Sequence, residues 1–124
     1  MPADDGPGRQ ALIALLADVA CVIVFAAIGR RSHAEGLTVP GIAQTAWPFL
    51  AGTGVGWLVI GGWRRPFSVI PVGVVVWACT VVVGMVLRKL ISAGVAPSFV
   101  VVASVSTAVL LLGWRGAAAL VRRG

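Results

Sequence analysis

ALIALLADVACVIVFAAI, residues 11–28, decides the fold. Its 18 residues are apolar or small apart from one acid, Asp18, and they are long enough as a helix to approach the span of a hydrocarbon core. Three further runs follow at about 46–62, 67–87 and 98–112. Charge appears only between these runs. No residue from 36 to 63, from 66 to 87, or from 90 to 114 carries a full charge. Each gap accommodates the roughly 20 residues that cross about 30 Å of lipid. Open sheets cannot satisfy their backbone in lipid, and none of these runs alternates as a barrel strand does. The expected class is therefore all-α: a polytopic, multi-pass cell-membrane protein, with four transmembrane helices in one bundle over residues 10–116. Residues 1–9, rich in Pro, Gly and Asp, are expected to form a disordered tail, and 117–124 a short basic one.

Composition excludes most soluble alternatives. Of 124 residues, 59% are hydrophobic and 11% charged, against roughly a quarter charged in a soluble domain. The net charge of +6 would suggest nucleic acid in a water-soluble chain, but no basic run is interleaved with aromatics on a polar face. Arginines at helix ends instead meet headgroups and set orientation. Arg9, Arg64, Arg65, Arg115, Arg122 and Arg123 lie on the side of the N-terminus, against Arg30, Arg31, Arg88 and Lys89 on the other. That asymmetry places both termini in the cytoplasm. Trp47, Trp63 and Trp114 fall at span ends and suit an interfacial belt, whereas Trp57 and Trp77 fall inside spans and read as core.

The halves of the chain resemble one another. Ala20-Cys21 followed by Arg30-Arg31 recurs as Ala78-Cys79 followed by Arg88-Lys89, at a constant offset of 58. Pro48-Phe49 resembles Pro97-Ser98-Phe99, and Gly62-Trp63-Arg64 resembles Gly113-Trp114-Arg115. Two similar helical hairpins pointing the same way would form a parallel pseudo-repeat. Asp18 aligns with Val76 and His33 with Ile91, so any site would be asymmetric.

Asp18 is the leading candidate for chemistry. A carboxylate at depth costs about 2.5–3.5 kcal/mol on insertion scales and needs a partner or a pathway. Arg30 is twelve residues away along the same helix, about 18 Å, too far to pair. Arg115 and Arg64 end neighbouring antiparallel spans on the correct side, and either can reach Asp18 by extending inward. Arg30, Arg31, His33, Arg88 and Lys89 gather by topology on the opposite side as a candidate anion or headgroup cluster, close to Glu35. Gly52 and Gly56 form a small-xxx-small face for helix packing, with Ala103 and Thr107 offering a similar one on the fourth span. A lone histidine makes no metal site, Cys21 and Cys79 read as small buried thiols, and no cofactor is implied. No nucleophile–base–orienter set is present, so an enzyme is not expected.

Taken together, several segments resemble the membrane family called domain of unknown function 3054. They are Asp18 in the first span, Gly29-Arg30-Arg31-Ser32-His33, Trp47-Pro48-Phe49, Gly84-Met85 with Arg88, Ser98-Phe99 with Val102-Ala103, and Leu112-Gly113-Trp114-Arg115. The resemblance covers Leu12 to Gly116 and implies a fold and a set of residues, but no activity. Two functional readings stand side by side. One is a small oligomeric transporter or channel subunit, with Asp18 as its intramembrane charge. The other is a structural or accessory subunit whose charges serve helix packing and anionic-lipid binding. Both expect the bilayer as surroundings, and a second copy or a membrane protein as partner.

Overall fold

A computed structural model of the chain describes residues 7–32, 38–91 and 97–123, with side chains at 8–29, 38–91 and 97–121. Four helices form there: α1 (Pro7–Ser32), α2 (Val39–Ile60), α3 (Val74–Leu90) and α4 (Pro97–Arg123). No strand occurs among the described residues. Three segments, Gly8–Gly29, Val69–Leu90 and Pro97–Val121, are long and apolar enough to cross a membrane. At 22 residues α2 has a comparable length, but Gln44, Thr45 and four glycines dilute its apolar character. Two of those glycines, Gly52 and Gly56, are buried against α3.

Helix ends differ from the hydropathy boundaries for local reasons. α2 starts at Val39, inside the stretch expected as a loop, because Thr38 caps it. Thr38 is extended and its Oγ1 accepts from the Gly41 N–H at 3.1 Å. Pro40 falls in the first turn, where a missing N–H removes no helical bond. α2 closes at Gly61, whose φ of 63° is the left-handed conformation that favours glycine. The third span begins irregularly: Val69–Gly73 make a π turn, with the Gly73 N–H donating to the Ser68 carbonyl at 2.9 Å, before α3 proper starts at Val74. Pro71 and Gly73 account for this delay. α1 begins at Pro7, earlier than the apolar run, and α4 continues through the expected basic tail to Arg123.

α1 packs on α2, α2 on α3, α3 on α4, and α4 returns to α1, so the helices form a closed ring. Directions alternate. Asp18 and Phe25 of α1 meet Trp57 and Phe49 of α2 in reverse order. Gly56 and Gly52 of α2 lie against Val76 and Thr80 of α3, also reversed. The interior has two apolar layers. Val22, Phe25, Ala26, Ala46, Phe49 and Ala103 form one, and Ala14, Trp57, Val72 and Val76 form the other. In the first, Phe25 and Phe49 pack edge-to-face at 5.1 Å, and Phe99 lies 6.2 Å from each.

Candidate functional site

Buried polar side chains are few among the described residues, and the two charged ones, Asp18 and Arg115, meet in the second layer. Asp18, on α1, is completely buried, as is Arg115, on α4. The guanidinium grips the carboxylate with two parallel bonds: Nη1 to Oδ1 and Nη2 to Oδ2, each 2.8 Å. This fork geometry suits Arg and carboxylate, and a low-dielectric setting strengthens it. Two indoles complete the set. Trp114 Nε1 donates to Oδ1 and Trp57 Nε1 to Oδ2, again at 2.8 Å. Asp18 thus accepts four bonds, about the full lone-pair capacity of a carboxylate.

Arg115 is equally well occupied. Its Nε donates to the Pro66 carbonyl at 3.0 Å, and Nη1 also reaches the Leu111 carbonyl at 3.3 Å. The irregular entry to the third span makes the first of these contacts accessible, since Pro66 lies outside any helical ladder. Gly73 supplies the room: a Cβ there would stand 3.0 Å from Arg115 Cδ and 2.9 Å from Leu112 Cδ2. The guanidinium carbon also lies 4.6 Å from the Trp114 ring centroid, and Phe67 meets that ring edge-on at 5.5 Å. Among the described residues, no buried side-chain nitrogen or oxygen lacks a partner.

Of the two cations weighed for Asp18, Arg115 is therefore the one in contact. Arg64 is exposed, at the end of the 3-10 turn Gly62–Arg64. The opposite end is less fully described. Arg30 and Arg31 belong to the last turn of α1 but their side chains lie outside the described ones, and His33 and Glu35 lie outside the described residues. Arg88 and Lys89 share the last turn of α3, with the Arg88 guanidinium 4.5 Å from the Phe99 ring centroid. Gly52 and Gly56 pack on the α3 backbone: a Cβ on Gly52 would come within 2.5 Å of the Cys79 carbonyl, and one on Gly56 within 2.8 Å of Val76 Cα. Beside them Thr53 and Thr80 share a 2.7 Å hydrogen bond between helices. Ala103 and Thr107 face inward on α4, and the Thr107 hydroxyl donates to the Ala103 carbonyl at 2.6 Å.

Trp57, Trp114, Pro66 and Gly73 are the members of the site that sequence reasoning does not identify. Position near a span end places Trp114 in an interfacial belt, yet it is half-buried and hydrogen-bonded to an acid. The available signal is chemical: a buried indole N–H needs an acceptor, and few others exist in an apolar core.

Fold and site together define a class, a bundle of apolar helices with a fully buried Asp18–Arg115 ion pair between α1 and α4. The family described as proteins of unknown function, DUF3054, matches residues 15–118. The chain belongs to that family, as its resemblance in Asp18, the helix-end arginines and the Leu112–Arg115 segment implied. No curated protein and no solved structure matches it.

Proposed function

We propose that the chain is a multi-pass membrane protein in which all four helices cross the bilayer, and that it serves as a structural or accessory subunit. In this reading its intramembrane charges lock the helices together. One observation carries it: Asp18 has every acceptor site filled by Arg115, Trp57 and Trp114, with no exposure to solvent. A proton or ion relay requires an acid with a free lone pair and a route to it. A carboxylate holding a bidentate arginine and two indoles offers neither. Hairpins α1–α2 and α3–α4 serve as the two halves of a parallel repeat, and the cytoplasm lies on the side of both termini. A second copy or a membrane partner completes the assembly.

The test combines stability with flux. Asp18→Asn protein, reconstituted in liposomes, should show the same negligible proton and ion flux as the unmodified chain, and should unfold more readily. A well-folded Asp18→Asn protein that loses a flux present in the unmodified chain would return the acid to a conduction path and overturn the reading.

A further inference from the structure

Beside the ion-pair site, a cleft of about 420 Å³ opens on the outer surface of α1 and α2. Its lining is wholly apolar: Ala11, Leu12 and Leu15 from α1, Gly54, Trp57 and Leu58 from α2, and Trp63 from the turn beyond. Gly54 opens the middle of it, since a Cβ there would meet nothing within 4 Å. No internal packing accounts for a glycine at this position, in contrast to Gly52 and Gly56. At one end the chemistry changes. Arg64 and Arg65 directly follow Trp63 and are exposed, and the Gly62–Arg64 turn packs against α1. Arg64 Nε and the Trp63 ring both border Gly61, each 3.7 Å from a Cβ built there. The cleft is therefore an apolar slot that ends in the Trp63 indole, with the exposed Arg64 and Arg65 next along the chain.

We propose that this cleft seats one acyl chain of an anionic phospholipid, with its phosphate held by Arg64 and Arg65. Charge complementarity selects the occupant. A hydrocarbon chain fits the lining, the Trp63 indole suits the carbonyl and headgroup level, and two arginines face the one anionic group a bilayer offers there. The cytoplasmic leaflet, assigned to this side by the arginine asymmetry, is also the anionic one. The seat reaches the ion pair, because Trp57 forms its inner wall while donating to Asp18. The inference rests on the bilayer reading and not on the structural role of Asp18. Its failure would leave the outcome at Asp18 unchanged.

Native mass spectrometry of detergent-released protein loaded with phosphatidylglycerol or phosphatidylcholine tests it. One phosphatidylglycerol should be retained about thirtyfold better than phosphatidylcholine, at roughly fivefold for each arginine. Arg64→Gln/Arg65→Gln should abolish the preference, and Gly54→Leu, whose Cβ meets no neighbouring atom and whose side chain would occupy the slot, should lower retention of both lipids. Quenching of tryptophan fluorescence by phosphatidylglycerol with brominated chains should fall in Gly54→Leu. A preference that survives the double arginine variant overturns the headgroup assignment. Equal retention in Gly54→Leu overturns the seat, and so does a loss of dimer in that variant with lipid unchanged, because a second copy would then be the occupant. Displacement of the bound lipid by inorganic phosphate would also overturn it, since the phosphate and not the chain would then be what the protein holds.

Discussion

Replacing Asp18 with leucine removes one small side chain and leaves four N–H donors, on three residues, without their acceptor. Arg115 keeps its bonds to the Pro66 and Leu111 carbonyls but loses both contacts to the carboxylate. A buried charge stranded in this way costs about 3–5 kcal/mol. The Trp57 and Trp114 indoles lose one bond each, and interhelical bonds in membrane proteins average about 0.6 kcal/mol with a maximum near 1.7. The stranded guanidinium therefore dominates, and the expected total is roughly 4–8 kcal/mol. This predicts an ordering. Trp57→Phe should cost about 0.6–1.7 kcal/mol. Asp18→Leu should cost several times more, and Asp18→Leu/Arg115→Met should recover most of the difference, because no charge is then left in the interior. Reversible unfolding in bicelles, followed by steric trapping or by titration with a denaturing detergent, measures all three. If Asp18→Leu costs less than about 1 kcal/mol, or if the double variant is no better than the single, the ion pair does not hold the bundle together and the structural argument fails.

Neighbouring glycines should respond in opposite directions. Gly52→Ala places a Cβ 2.5 Å from the Cys79 carbonyl and should cost about 1–3 kcal/mol, while Gly54→Ala meets nothing and should gain about 0.5–1 kcal/mol in the same unfolding assay. Thr53→Val removes the bond to Thr80, which still donates to the Val76 carbonyl, so the loss should stay near 0.6 kcal/mol in a double-mutant cycle with Thr80→Val. Cysteines introduced at Ala3 and at Ala34, in a background with Cys21→Ala and Cys79→Ala, should label from opposite sides of intact vesicles; labelling from one side would refute the multi-pass arrangement.

Much of the helical pattern can be read from charge spacing, because a gap without charge and a helix across lipid are nearly the same statement. Asp18 and Arg115 are also conspicuous, one as the lone acid in an apolar run and the other as the cation closing a neighbouring run. Three things are less visible. Capping at Thr38 extends α2 past the point where hydropathy weakens, since a hydroxyl bond to Gly41 has no hydropathy signature. Pro71 and Gly73 sit in a run that looks continuous, yet they delay α3 and leave Pro66 free to accept from Arg115. The indole contacts depend on which faces of α2 and α4 turn inward, and that is settled by close packing at Gly52, Gly56 and Gly73 and not by average hydropathy.

Asp18 and Arg115 are 97 residues apart in the chain, and this distance has a meaning in time. At a synthesis rate of about 5–20 residues per second, the arginine is made ~5–20 s after the acid. The Trp57 indole becomes available first, 39 residues after Asp18, and can give the carboxylate an early neutral partner. Trp114 and Arg115 follow together on the last helix. In the proposed bilayer arrangement, α1 enters the membrane with its acid unmatched, and α4 completes the set. Arrival of α4 is the step that turns a chain still marked by an unmatched acid into a finished one, and a nascent product stalled before Trp114 would display that acid to whatever machinery inspects newly inserted helices.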